Sequence, residues 1–307
     1  MSRFSYGGQA VIEGVMMRGK HCWAVAVRKG DREVTTKHEP LSSLKRRFAI
    51  LRRPLLRGIV SLFETLVLGM QSLSYSANES LNDNEEPFTP PQFVVTVVAA
   101  LLLTIGLFVI LPAAVTVAAE RLFASRLSVN IVEGAVRAGV FLLYVLAISG
   151  VQDIQRVFQY HGAEHKTINC WEAGEPLTVE NVRRCSRVHL RCGTNFLLIV
   201  LIMGVLVFSF FGRPPFLERV VIHLLILPIT AGLAYELIRQ AGAGQSHFLF
   251  RWLAAPGMAL QQLTTREPDD QQIGVAIAAL NTVIKEDALH SEERKVIPFP
   301  QAVSEES

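Results

Sequence analysis

A long run without a charged residue, Phe93 to Ala119, constrains the fold of this chain more than any other feature. At about 1.5 Å per residue, a helix of this length crosses the ~30 Å hydrocarbon layer of a bilayer. The composition agrees, since 50% of the residues are hydrophobic, which is high for a soluble chain. The run therefore predicts an integral membrane protein.

Three further apolar segments are candidates for membrane spans, namely Ile131–Gly150, Gly193–Gly212 and Val220–Leu237. Glu133 and Arg137 weaken the first of them, but residues four apart on a helix can pair. His223 lies inside the last and predicts an interhelical hydrogen bond rather than a metal ligand. The weaker runs could instead be buried or re-entrant helices. The expected fold is mainly α-helical, with about four transmembrane helices.

The basic residues set the expected orientation. Thirteen Lys or Arg residues precede Phe93, six lie in 151–194 and six follow position 238, whereas the connectors 120–130 and 213–219 hold two each. Both termini and the 151–194 loop are therefore expected in the cytoplasm of a bacterium, with the spans forming two hairpins in its inner membrane. The net charge of +3 and the lack of a nucleic-acid motif argue against a nucleic-acid partner.

The N-terminal segment has a different pattern. His21–Arg28 and Arg32–His38 are strand-like and flank Lys29-Gly30-Asp31, which predicts a hairpin in a small cytoplasmic β unit. The basic clusters Lys45–Arg47 and Arg52–Arg53 are interleaved with apolar residues. A helix there would suit anionic lipid headgroups, so membrane lipids are expected partners.

These patterns divide the chain into five parts. Residues 1–53 form the β unit and basic segment, 54–90 an interfacial helix and linker, 91–238 the four-helix membrane region, 239–290 a cytoplasmic helical segment and 291–307 a disordered tail. Leu55–Ser74 is mostly apolar but carries Arg57 and Glu64, so a fifth span is the less favoured alternative. Asp269–Asp287 is helical in pattern.

The segment from His161 to His165 has the spacing His-x-x-Glu-His. One helical turn places both imidazoles on one face, where they can bind one metal ion, and Glu164 could act as a base on a water molecule. The alternative is a polar helix end whose histidines cap carbonyls or pair with Glu172 or Glu175. From this motif alone the two readings stay open.

A second group strengthens the metal hypothesis. Cys185, His189 and Cys192 follow one another at spacings of four and three. If Thr178–Arg191 is helical, with Thr178 as its cap, the three share one face. Zinc accepts such nitrogen and sulfur ligands. Cys185 is better explained as a small buried hydrophobic residue, whereas His189 and Cys192 favour a functional role.

Several motifs resemble those of the YqhQ-like family of uncharacterised bacterial membrane proteins, which are regarded as metal-dependent enzymes. They are Gly7–Gly19, His161–Thr167, His189–Phe196, Pro256-Gly257 and Leu263–Pro268. The resemblance spans residues 6 to about 285. Leu190 and Asn195 depart from the expected proline and serine, and neither is an expected ligand.

The resemblance implies that the N-terminal segment folds over the metal site. Glu13 would then supply a metal ligand or contact the substrate, and Gln9, Arg18 and Glu172 would bind the substrate or support the metal ligands. The alternative is a β unit whose polar groups satisfy its own backbone.

The leading hypothesis is a membrane hydrolase with a divalent metal, preferably zinc, at the cytoplasmic surface. His161 and His165 would be ligands, His189 or Cys192 would complete the coordination, and Glu164 would be the general base. The alternative is a non-enzymatic assembly or interaction factor, with a structural metal or none, that docks a protein partner or a second copy. Metal transport ranks last because the spans carry few polar residues.

Overall fold

The computed structural model describes residues 5–30, 33–81, 86–120, 122, 125–212, 214–242 and 248–293. In these ranges the protein is mainly helical, with a small antiparallel sheet at the N-terminus. The α-helices are α1 Leu44–Arg47, α2 Leu56–Glu79, α3 Pro90–Ile105, α4 Leu111–Ala119, α5 Arg126–Ser149, α6 Gln152–Ala173, α7 Val179–Arg184, α8 Gly193–Phe208, α9 Phe216–Gly242, α10 Phe248–Thr264 and α11 Asp270–Glu293.

The sheet contains the strands β1 Gly7–Val11, β2 Gly14–Arg18, β3 Cys22–Arg28 and β4 Val34–Pro40, paired in this order. β3 and β4 form the predicted hairpin, although Asp31 and Arg32 lie outside the described residues. Glu13 closes the turn between β1 and β2 with a φ of 50°. A positive φ is uncommon for a residue with a Cβ.

Helices cover both faces of the sheet. Successive strand residues point to opposite faces, so Met17 and Ala24 pack with Tyr160 of α6 and Leu280 of α11. On the other face, residues such as Trp23 pack with Leu68 of α2. This arrangement explains why β2 and β3 are buried along almost their whole length.

The four predicted spans are helical. The run Phe93–Ala119 forms α3, one π-helical turn at Gly106–Ile110 and α4, while the others form α5, α8 and α9. The 18-residue stretch of highest hydropathy within α3 and α4 has no buried residue. An apolar helix with its side chains this exposed is stable in lipid rather than in water.

The number of candidate spans is one higher than predicted. In the described part of the chain, five helices are long and apolar enough to cross a membrane, and the additional one is α2. Its charges argued against a span at the sequence level, but the structure pairs them. Arg57 binds Glu236, and Glu64 accepts hydrogen bonds from Arg18 at 3.1 Å and from Ser43 at 2.8 Å. Paired charges are far less costly in an apolar setting than isolated ones.

A polar group links the membrane helices. Arg219 at the start of α9 is fully buried and donates to Glu133 of α5 at 2.8 Å and to Glu120. Glu133 also pairs with Arg137 at 3.0 Å, as predicted, and with His223 at 3.0 Å. His223 therefore makes the interhelical contact that the sequence predicted.

The predicted helix Thr178–Arg191 is wrong beyond its first turns. Thr178 does cap α7, accepting from the backbone of Asn181 at 3.3 Å, but α7 ends at Arg184. Side chains of α6 bind the carbonyls that follow: Lys166 donates to Cys185 at 2.9 Å, and Asn169 donates to Ser186 at 2.7 Å. The backbone becomes extended at Cys185, with a φ of −75° and a ψ of 158°, so Cys185, His189 and Cys192 do not share a helical face.

The C-terminal region contains two helices, α10 and α11. The predicted helix Asp269–Asp287 is confirmed as α11, which extends to Glu293. Residues 291–293 of the predicted tail belong to this helix, and residues 294–307 lie outside the described residues.

Candidate metal centre

Three side chains of the predicted site converge where α6 meets the start of α8. One ligand atom each from His161, His165 and Cys192 lies within 4.8 Å of the other two. His165 and Cys192 are buried and His161 is partly exposed. The structure therefore brings the His-x-x-Glu-His motif together with the cysteine of the later motif, across an irregular loop.

Backbone carbonyls orient both imidazoles. The Nδ1 atom of His161 lies 2.8 Å from the carbonyl oxygen of Thr264, and that of His165 lies 2.7 Å from the carbonyl oxygen of Arg187. A carbonyl only accepts, so each neutral ring carries its proton on Nδ1 and its lone pair on Nε2. Metal-binding histidines are held by this kind of contact.

Cys192 supplies the third donor atom. It is the N-terminal cap of α8, and its Sγ accepts a hydrogen bond from the backbone N–H of Thr194 at 3.3 Å. A helix N-terminus favours negative charge, which suits a thiolate. The Sγ atom lies 3.3 Å from Nε2 of His161. Tetrahedral zinc separates its nitrogen and sulfur ligands by about 3.3–3.6 Å, so this donor set fits a zinc-type ion.

Glu164 lies on the same helix between the two histidines and is 5% exposed. Burial raises the pKa of its carboxyl above the ordinary value, although His161, His189 and a backbone hydrogen bond from Gly8 oppose the shift. Gly8 lies in β1, close above the carboxylate. A Cβ at this position would lie 2.9 Å from Cγ of Glu164. Part of the N-terminal family motif therefore does cover the site.

Gly162 lets the linker between α10 and α11 approach α6. A Cβ at this position would collide with the carbonyl oxygen of Arg266. The backbone N–H of Arg266 donates to the carbonyl of Phe158 at 2.8 Å, which holds the linker against the helix. This contact brings the carbonyl of Thr264 to His161. The glycine of the motif is thus required by packing.

His189 lies beside the three donors and outside their group. Its ring centroid is 5.7 Å from that of His165, but its Nε2 faces Glu172 at 3.4 Å. Burial favours the neutral form of Glu172, yet hydrogen bonds from His189 and Arg191 outweigh it and lower the pKa of Glu172 to about 2. Of the two alternatives predicted for the third ligand, the structure places Cys192 with the histidines and pairs His189 with a carboxylate.

The remaining predicted site residues make other contacts. Both Arg28 and Arg156 bind the carboxylate of Glu13, at 2.8 Å and 2.7 Å, so it ties the sheet to α6. Arg18 pairs with Glu64 of α2. The amide of Gln9 lies against α2, where a Cβ on Gly69 would be 2.7 Å away. The structure does not bring these three side chains into the group of metal donors.

Sequence reasoning missed the residues that support the ligands. Thr264 and Arg187 act through backbone carbonyls, which no residue type reveals. Gln261 is fully buried and bridges to the backbone of His189, accepting from its N–H at 2.9 Å and donating to its carbonyl at 3.0 Å. The Leu263–Pro268 motif marked the end of α10 and the linker after it as part of the family pattern, but it did not indicate that this region supports the metal donors.

Comparison with known proteins identifies a family and names no activity. No solved structure matches the chain. It is 32% identical to "Uncharacterized protein YqhQ" of Bacillus subtilis (strain 168) over 309 residues, covering 95% of this chain and 96% of that protein. Residues 53–286 match the family described as "Protein of unknown function (DUF1385)". The chain therefore belongs to the DUF1385 family, which includes YqhQ-like proteins.

Proposed function

We propose that this protein is a metal-dependent hydrolase of the bacterial inner membrane, with its site at the cytoplasmic surface. The observation that carries the proposal is the convergence of two imidazoles and one sulfur beside the buried Glu164. Three protein ligands leave one tetrahedral position free, which is typical of catalytic rather than structural zinc sites. The distribution of basic residues supports cytoplasmic termini and a cytoplasmic site.

Each residue has a defined part in the proposed reaction. His161, His165 and Cys192 hold the ion, which supplies Lewis acidity when bound. Glu164 accepts a proton from the attacking water and returns it to the leaving group, a role that suits a carboxyl whose pKa is raised by burial. β1 limits the access of bulk water above Glu164. Peptide, amide and lipid-linked substrates all remain compatible with this chemistry.

The decisive experiment is elemental analysis of the purified full-length protein and of a His161→Ala/His165→Ala variant. We expect about one zinc-type ion per chain in the wild type and none in the variant. His38→Ala is a matched control, because this histidine is half-exposed on β4. Absence of metal from the wild type, even after reconstitution with divalent ions, would refute the proposal.

Two further variants separate catalysis from a structural role. Glu164→Gln should retain the metal and lose hydrolysis, because the amide cannot accept the proton. His189→Ala should also retain the metal if coordination comes from the three convergent donors. Loss of metal from His189→Ala would indicate four protein ligands, the arrangement of a structural site.

A non-enzymatic assembly factor is the second candidate. The observation that favours it is the network of side chains that rigidly holds the loop 185–192, including Lys166 and Asn169. A closed metal site in such a loop would stabilise a docking surface. In that case the metal would be lost in His189→Ala, and Glu164→Gln would leave the function unchanged.

A further inference from the structure

Helix α2 has two different faces. Leu68 and Gly69 pack against the sheet, and Ser72 and Ser76 are fully buried. The opposite face carries an exposed apolar stripe, which we call the outer stripe, with exposures from 36% to 61%; it consists of Leu56, Phe63, Leu66, Met70 and Leu73. From Phe63 onward its members recur at spacings of three and four, so they share one side of the helix.

Contacts hold both ends of α2. At its start, a Cβ on Gly58 would lie 2.9 Å from the carbonyl oxygen of Gly232, so the backbones of α2 and α9 pack closely, and Arg57 binds Glu236 one turn further along α9. At its end, Glu79 pairs with Lys29 of the sheet at 2.7 Å. These anchors favour a position of α2 along one surface of the membrane, although its length and composition would allow it to span.

The segment before α2 is basic and apolar in alternation. From Leu41 to Phe63 the chain contains six Lys or Arg residues and no Asp or Glu. In the described part of this segment, Arg47 and Arg53 are exposed, as are Phe48 at 49% and Ile50 at 59%. Cations beside exposed apolar side chains suit an acidic lipid surface, which offers phosphates above hydrocarbon.

We propose that the outer stripe and the basic segment dock together onto acidic phospholipid headgroups. The sheet, with β1 above Glu164, would then be held against the bilayer surface through α2.

A second copy of the chain is a poorer fit to the outer stripe. Its flanking positions include Val60, Leu62 and Val67, whereas paired helices in water carry charged residues there. This inference is independent of the metal site.

The test is site-directed spin labelling of the full-length protein in vesicles of phosphatidylcholine, with and without phosphatidylglycerol. Cysteines replace Phe63, Leu66, Met70 and Leu73 one at a time, in a Cys185→Ala background that removes the half-buried native thiol. Accessibility to oxygen and to a water-soluble nickel complex then reports the depth of each label. Gln71, exposed beside the stripe, is the matched control position.

We expect all four stripe positions at one shallow depth, about 5–10 Å below the headgroups, and Gln71 closer to water. A spanning helix would instead spread Phe63 and Leu73 by about 15 Å in depth. That result, full water exposure of the stripe, or spin–spin broadening between copies would each overturn the proposal.

The contribution of the basic segment is tested with an Arg47→Gln/Arg53→Gln variant in the same vesicles. Adding phosphatidylglycerol should draw the wild-type stripe deeper, and the variant should lose this response. The affinity for acidic lipid should fall about fivefold for each arginine removed. A variant that responds to phosphatidylglycerol as the wild type does would refute the role of the basic segment.

Discussion

Two polar groups in this protein contain histidine, and their geometries differ. Around Arg219, the charged side chains form ion pairs with one another. Glu133 contacts three of them, namely Arg219, Arg137 and His223. Around His161 the donors converge, and backbone carbonyls hold the far side of both imidazoles. In the first group each charge is matched by an opposite charge, whereas in the second one donor atom from each of three side chains lies within 4.8 Å of the others.

This difference distinguishes a structural histidine from a candidate metal ligand. His223 also binds a carbonyl through Nδ1, that of Arg219 at 2.8 Å, but its Nε2 meets a carboxylate. The Nε2 atom of His161 meets a sulfur instead. What the second ring nitrogen faces is therefore more informative than the histidine itself. The following predictions test this distinction, from the largest expected effect to the smallest.

Arg219→Met should destabilise the protein most. It removes the buried cation that joins Glu133 to Glu120, and breaking a buried ion pair costs about 3–5 kcal/mol. The free energy of unfolding in mixed micelles, measured by circular dichroism, checks this. Arg183→Met is a matched control because its pair with Asp270 is exposed, and it should have a far smaller effect because solvent screens an exposed pair. Equal effects of both substitutions would contradict the matched-charge interpretation of this group.

Cys192→Ser should abolish stabilisation by metal while changing the metal-free protein little. A ligand at 100 times its dissociation constant stabilises the folded state by about 2.7 kcal/mol, and the variant should lose most of this with zinc. Thermal unfolding with zinc and with a chelator gives both values. Cys170→Ser, a buried thiol outside the donor group, should retain the zinc response. If zinc stabilises both variants equally, Cys192 is not a ligand.

Gly162→Ala should destabilise the protein by about 1–3 kcal/mol, because the added Cβ collides with the carbonyl of Arg266. Displacing this linker also moves the Thr264 carbonyl away from His161, so zinc affinity should fall. Denaturation and zinc titration measure the two effects. The control is Gly274→Ala in α11, where a Cβ meets nothing within 4 Å, and it should be neutral or stabilising. An unchanged zinc affinity in Gly162→Ala would show that the linker does not position His161.

Glu172→Gln should have the smallest effect, below about 1 kcal/mol at neutral pH, because Glu172 is 35% exposed and its pairs are screened. Its pKa in the folded protein is lowered to about 2, so the stabilisation is present above its ordinary pKa of about 4.3. The difference between wild type and variant should vanish as the pH falls from about 4.3 toward 2. A difference that grows on acidification would contradict the assigned pairing.

The sequence predictions were accurate where the structure depends on residues close in sequence, and they failed where it depends on residues far apart. The spans and α11 were predicted closely, because apolar runs and helical periodicity are local signals. The helix predicted over Thr178–Arg191 ends at Arg184, and Lys166 and Asn169, outside that segment, hold the extended loop that follows. Glu13 was expected near the metal donors, but arginines of β3 and α6 engage it. Such partners are distant in sequence and leave no local pattern.

By itself, the sequence determined that the chain contains helices long and apolar enough to cross a membrane and that His161 and His165 share one helix face. Both follow from local physics: a long uncharged run can satisfy its backbone in lipid only as a helix, and residues four apart lie one turn above another. Only the tertiary structure selected Cys192 over His189 and set the orientation of both imidazoles. Those choices depend on the carbonyls of Thr264 and Arg187, which are 103 and 22 residues away from the histidines they hold. Packing of the linker against Gly162 brings the first of them into place.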